Sequence, residues 1–298
     1  MSVHELYRQG RRAAALGFAV ALVLAVAKLA GGWYGHSVAL LSDAIHSFGD
    51  TILSAVVWLA MSVAEKPPDR EHPYGHARAE AVAGAVIACL LILSAFAAGW
   101  QSVVAFGEPA EEPSAITLVI AGLSFLMNEA IYQRNRRVAE RTGSRSLKAT
   151  AWDQRLDALT GLGILIALAL TKFGGPAWHL ADPAAGLGVA VLILFVGGRL
   201  FWESFHELMD AQADPALVES VRREASSVPG VIGVEKLFVR KAGMEFLVDI
   251  HLEVDPNATV AAGHAIAHAV KDRLRAAMAT IKDVLVHVEP ARDRTPGA

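Results

Sequence analysis

The sequence predicts a membrane all-α bundle of six helices followed by a small α+β domain, and three observations carry that prediction. The chain of 298 residues is 54% hydrophobic and only 19% charged, which is more apolar and less charged than soluble globular chains. Its apolar residues gather in long blocks over the first two-thirds, and several blocks reach the roughly 20 residues a helix needs to cross a bilayer core. After about Asp210 the pattern changes to the short periods of a soluble domain.

Six spans are expected, at 12–34, 38–63, 80–104, 114–135, 149–172 and 183–205. The first block is too long for the apolar part of a cleaved signal and lacks a cleavage site. Basic residues alternate between the connecting stretches. Arg8, Arg11 and Arg12 precede the first span, Lys66, Arg70 and Arg78 follow the second, and six Arg and Lys residues from Arg134 to Lys148 follow the fourth. The Gly35-His36 turn, the acidic 107–113 stretch and 173–182 carry none. Positive charge stays inside, so both termini and the basic loops are expected in the cytoplasm, and the membrane is expected to be the cell (inner) membrane.

The C-terminal part reads as helix, strand, strand, helix, strand. Ala216 to Ser227 is helical until Pro229-Gly230, and Val234 to Arg240 and Met244 to Val254 are strands about the Ala242-Gly243 turn. Residues 259–277 form a second helix and Val284 to Val288 a last strand. Phe246, Val248, Ile250, Leu252 and Val254 alternate with more polar neighbours, the period of two of a strand with one buried face. The expected division is 1–208 for the membrane domain, 209–290 for the cytoplasmic domain, and a disordered tail at 291–298.

Charge and cysteine count exclude some classes. A formal net charge of −3 offers no basic field for nucleic acid. Cys89 is the single cysteine, so intramolecular disulfides and cysteine zinc sites are excluded. Any metal site must be built from His, Asp and Glu.

Those residues occur where lipid should be. The second span holds His46 and Asp50, four residues apart and therefore stacked on one helix face. The fifth holds Asp153 and Asp157 with the same spacing. Ionisable groups inside a span are costly and face a bundle interior or wet cavity. Two such pairs can converge as one imidazole and three carboxylates, a four-ligand set for a divalent cation. Without a cation the carboxylates repel and bind protons, so metal and proton compete for one site. Asp43 is a neighbouring or interfacial residue, Lys28 reads as a snorkelling side chain, and Asn128 and Glu129 either line the pathway or serve packing.

At these pairs the chain resembles the cation diffusion facilitator family over almost its whole length. The stretches that carry the likeness are Ser37 to Ser47, His72-Pro73-Tyr74-Gly75-His76-Ala77-Arg78-Ala79-Glu80, and Ala149-Thr150-Ala151-Trp152-Asp153. The resemblance implies six spans, a transport site from spans two and five, and a ferredoxin-like, metallochaperone-like cytoplasmic domain. It also implies a homodimer that exchanges a divalent metal, Zn2+, Mn2+ or Fe2+, for protons across a lipid bilayer. Zinc-selective relatives commonly place His where this chain has Asp153. A carboxylate there makes the site harder and favours manganese or iron, whereas His46 pulls toward zinc.

The resemblance further implies cytoplasmic metal at Asp69, His72 and His76, and regulatory metal at the C-terminal domain through Asp249, His251, His264, His287 and Glu289. Glu235 stands where some relatives have His. Arg78 and Asp210 match a charge interlock at the membrane surface, which if exposed contributes under about 1 kcal/mol. The expected function is a proton-coupled exporter of divalent metal. The alternative is a non-transporting relative that senses metal or scaffolds a partner. Hydrolase signatures such as His-Glu-x-x-His are absent, so no enzyme and no catalytic cofactor are expected.

Overall fold

The computed structural model describes residues 3–34, 38–106, 115–174 and 181–291. The Gly35-His36 turn, the acidic 107–113 stretch, most of 173–182 and all but the first residue of the tail lie outside them. The chain divides into two compact units, one of Tyr7–Phe205 and one of His206–Ala298 with Met1–Leu6.

The first unit is built from six long helices, α1 (Val3–Tyr34), α2 (Val38–Ala64), α3 (Ala79–Ala105), α4 (Ala115–Thr142), α5 (Arg145–Gly174) and α6 (Ala181–Leu208). The shortest has 27 residues, about 40 Å at 1.5 Å per residue, against a bilayer core of about 30 Å. Among the described residues, His4–Gly31, Ser47–Ala64, Ala79–Val104 and Gly186–Leu208 are long and apolar enough to cross a membrane. The outward face of α3 is correspondingly apolar, with Val82, Val86, Leu90, Leu93, Phe96 and Trp100 all exposed.

Helices α4 and α5 run further than their apolar blocks. The basic stretch read as a loop is mostly helix, and only Gly143 and Ser144 separate α4 from α5. Arg, Glu and Ala are good helix formers, so the helix continues past the apolar block. It stops at Gly143, whose φ of +69° is a left-handed turn that glycine adopts without penalty.

Helix α5 packs against α2, α3 and α4, which places it at the centre of the unit. Asn135 in α4 donates its carboxamide to Gln154 Oε1 in α5 at 3.0 Å, and both are buried. Gly17 of α1 lies against that pair, where an added Cβ would meet Asn135 Nδ2 at 3.2 Å and Gln154 Nε2 at 3.3 Å. The absence of a side chain lets α1 approach. Arg11 and Glu65 join α1 to α2 at 2.7 Å.

The second unit contains α7 (Pro215–Ser226), β1 (Gly233–Ala242), β2 (Glu245–Val254), α8 (Val260–Ala277) and β3 (Ile281–Pro290). These are the five elements expected, in order and within a few residues. Asp214 caps α7 by accepting from Ala216 N at 2.8 Å, with Pro215 in the first turn. Thr259 caps α8 through Ala262 N. Gly243, at φ +64°, turns β1 into antiparallel β2, and α8 crosses over to β3, which pairs parallel to β2. The order β1-β2-β3 puts β2 at the centre and β3 at one edge. This is a ferredoxin-like α+β sandwich. Val248, Ile250 and Leu252 of β2 pack on Val221, Val270 and Leu274 of the helices, each at most 1% exposed. Glu245 and Glu253 on the same strand are also nearly buried, and Glu245 is held by Lys282 at 2.8 Å.

Candidate metal centres

Three groups of chemistry-bearing side chains stand out among the described residues, one in the helical bundle and two outside it. The first lies within the bundle. Asp50 of α2, Asp153 and Asp157 of α5, and Asn128 of α4 line one small cavity together with Ser47, Ser54 and Gln154. The wall from α1 is Gly17, Val20, Ala21 and Leu24, one face at helical spacing. Asp153 is 6% exposed and Asn128 8%. Oxygen donors from three helices thus face one space, a donor set for a hard or borderline divalent cation. His46 is on α2 one turn before Asp50, and its side chain, like that of Asp43, lies outside the described residues.

The structure separates Asn128 from Glu129, for both of which the sequence left pathway and packing open. Asn128 lines the cavity. Glu129 turns to Arg155 of α5, with which it forms an ion pair, and accepts from Gln133 Nε2 at 2.8 Å. Arg155 also lies over the Tyr132 ring, 4.9 Å from its centroid. Lys28 differs from the snorkelling expectation. It is 7% exposed and donates from Nζ to Ser47 Oγ at 2.8 Å, so it turns into the bundle.

A further acid went unread. Glu80, fully buried in the first turn of α3, accepts from Ser144 Oγ at 2.6 Å, Ser146 N at 2.7 Å and Ser146 Oγ at 3.0 Å. Ser144 itself caps Leu147 N. The N-terminus of the helix that carries Asp153 and Asp157 is therefore capped twice, by its own serine and by a carboxylate from another helix. The available signal was Glu80 opening an apolar block, where an unpaired acid is unfavourable.

The second group closes in the α2–α3 connection. Asp69 Oδ1 lies 3.3 Å from His72 Nδ1, Asp69 Oδ2 lies 3.3 Å from His76 Nε2, and the two rings are 4.5 Å apart. One ligand atom of each residue falls within 4.8 Å of the others. Backbone bonds from His72 N at 2.7 Å and Glu71 N at 3.0 Å make an Asx turn, and the His72 bond above all holds the Asp69 carboxyl below its ordinary range. Gly75 completes the turn at φ +83°. Buried His76 Nδ1 has no hydrogen-bond partner among the described residues.

The third group is in the sheet. Parallel pairing sets His251 of β2 beside His287 of β3, with rings 4.8 Å apart. Glu289 reaches back so that Oε1 is 2.5 Å from His251 Nδ1 and 3.5 Å from His287 Nε2. One ligand atom of each lies within 4.8 Å of the others. Glu235 stands at a register shift in β1 and hydrogen-bonds Glu289. That bond first, then His251, holds the Glu289 carboxyl below its ordinary value. Asp249 and His264, expected with this set, fall outside the closed group. Asp249 pairs with Leu285 two residues earlier along the strands, and the His264 ring meets the His268 ring edge-on with centroids 4.5 Å apart.

Of the two residues expected as an interlock, Arg78 precedes α3. Asp210 adopts φ +56° and accepts from Arg240 Nη1 at 3.3 Å.

Comparison with known proteins gives a consistent result. Residues 14–209 match the family model described as the cation efflux transmembrane domain, and 213–291 match that of the cation efflux protein cytoplasmic domain. Metal tolerance protein 2 of Oryza sativa subsp. japonica is 31% identical over 92% of this chain and 76% of its own length. The manganese efflux system protein MneP of Bacillus subtilis is 27% identical over 94% and 96%. The magnetosome protein MamB of Magnetospirillum gryphiswaldense is 30% identical over 87% of each chain. A solved cadmium form of the MamM CTD is 29% identical over 26% of this chain and 98% of that one, with a TM-score of 0.26.

Proposed function

The chain belongs to the cation diffusion facilitator family of integral membrane metal-efflux transporters, and on that premise we propose that it exports a divalent transition-metal ion from the cytoplasm in exchange for protons. The observation that carries this reading is the shared cavity of Asp50, Asp153 and Asp157, a pair of acids at i, i+4 spacing on α5 facing a third on α2. His46 completes the set as the fourth ligand. A dehydrated cation needs several anionic or carbonyl oxygens at once, and clustered acids without one take up protons to relieve their repulsion. Ion and proton therefore exchange at one place. The cargo falls in the zinc, manganese and iron class, with three oxygen donors shifting it toward the harder ions.

The cytoplasmic clusters serve this transport as metal-responsive elements. Two imidazoles and one carboxylate in each provide borderline donors suited to zinc, manganese or iron. The C-terminal domain joins two copies into a homodimer, both termini lying in the cytoplasm. Metal at the His251, His287 and Glu289 cluster, with Asp249 and His264 nearby, neutralises acids and favours one arrangement of the pair over another.

Flux into proteoliposomes tests the reading. Asp50→Ala and Asp157→Ala are each expected to abolish divalent metal transport while the dimer stays intact on size-exclusion chromatography. Undiminished flux in both variants would end it.

A further inference from the structure

We propose that Lys28 is a tethered counter-cation that offsets part of the charge of the acidic cavity and keeps its cargo releasable, an inference that rests on the transport reading above. Lys28 is buried in the bundle at 7% exposed, and its ammonium is 2.8 Å from Ser47 Oγ. Ser47 is 6% exposed and lines the same cavity as the three acids. The hydroxyl thus joins the ammonium to the site.

Two helical spacings fix where that charge stands. On α1 the cavity wall runs Gly17, Val20, Ala21, Leu24, and Lys28 follows Leu24 by four, the next turn of the same face. On α2, Ser47 precedes Asp50 by three, again one turn. The ammonium therefore flanks the cavity about one turn beyond Asp50, without taking a wall position itself.

Charge arithmetic then gives the residue its role. Metal-bound carboxylates are ionised, so Asp50, Asp153 and Asp157 bring three negative charges. A divalent ion and the Lys28 ammonium bring three positive ones, and the loaded site is neutral. The ammonium repels the cargo, which keeps binding weak enough for release.

The test uses the full-length dimer in nanodiscs at pH 8, where proton competition is low, with Mn2+ as the probe. Binding that disappears in Asp157→Ala is assigned to the cavity. Lys28→Gln and Lys28→Met are expected to tighten that binding by roughly tenfold or more, since a repulsion is removed. They should also lower maximal flux, because the more tightly held ion leaves more slowly. Lys28→Arg, which keeps the charge, should stay within about twofold of the parent.

Tighter binding is a result that mere structural damage does not produce. Neutral variants that fold but bind Mn2+ equally or more weakly would overturn the proposal. So would an arginine variant that behaves like the neutral ones, or neutral variants that both fail to fold while arginine folds. If Asp157→Ala retains binding and flux, the transport site itself is wrong, which is a separate outcome from the lysine readout.

Discussion

Glu80 Oε1 and Ser144 Oγ meet at 2.6 Å, so an acid on α3 holds the residue from which α5 starts. Ser146 lies seven residues before Asp153, about 10 Å along a helix at 1.5 Å per residue. The two serines and Glu80 therefore anchor the helix that presents the paired acids.

Removing that anchor tests the relation. Glu80→Ala leaves two buried hydroxyls and a helix N–H without their acceptor and is expected to cost about 2–4 kcal/mol of stability. Denaturant melts read the loss. Metal flux should fall with it, because the N-terminus of α5 is no longer fixed. Ser146→Ala, which keeps the backbone bond to Glu80, should cost about 1 kcal/mol or less.

Asp153→His addresses cargo. Exchanging one of the cavity's oxygen donors for an imidazole softens the site. Parallel flux assays with zinc, manganese and iron are expected to show the zinc-to-manganese ratio rising severalfold over the parent. An unchanged ratio would indicate that Asp153 does not touch the ion.

The sheet cluster makes a separate prediction. His287→Ala removes one of three donors that converge within 4.8 Å, so metal binding by the cytoplasmic domain should weaken at least tenfold. Calorimetry on the full-length protein, in an Asp69→Ala and Asp157→Ala background, isolates the sheet cluster. Binding should release protons and weaken toward acid pH, since imidazole must be neutral to coordinate.

Asp283 predicts a pH dependence of stability. Burial opposes its ionisation, but Lys271 Nζ at 2.6 Å and the Val284 N–H prevail, and its pKa lies below the ordinary aspartate value. A depressed folded pKa stabilises above about pH 4, the unfolded value, and that contribution is lost as pH falls through the lowered one. Parent and Asp283→Asn should therefore differ at pH 7 and converge in acid. Asp283 is 57% exposed, so the difference is expected to stay under about 1 kcal/mol.

Much of this was legible in the residues, for physical reasons that differ by element. Apolar blocks cannot be hidden, so the helices were readable. Strand β2 was readable from its alternation, because Val248, Ile250 and Leu252 must share one face. The acid pairs were readable because an ionised group in a span demands a reason. Lys28 was read as snorkelling and Glu80 was not assigned, since their partners Ser47 and Ser144 are small hydroxyls distant in sequence or on another helix. No local pattern announces such a bond. The basic stretch after span four was misjudged as loop because charge says where lipid ends, not where helix ends. Asp249, His251, His264, His287 and Glu289 were grouped by resemblance, and of these the parallel register brings His251, His287 and Glu289 together.

The outer position of β3 has a consequence for handling the protein. An unpaired strand edge is a template for self-association, and here it carries Lys282, Asp283, His287 and Glu289 and ends at Pro290. Those charges and the proline act as gatekeepers. Variants that neutralise several of them together, or buffers that protonate the acids, should be the ones in which the purified transporter precipitates.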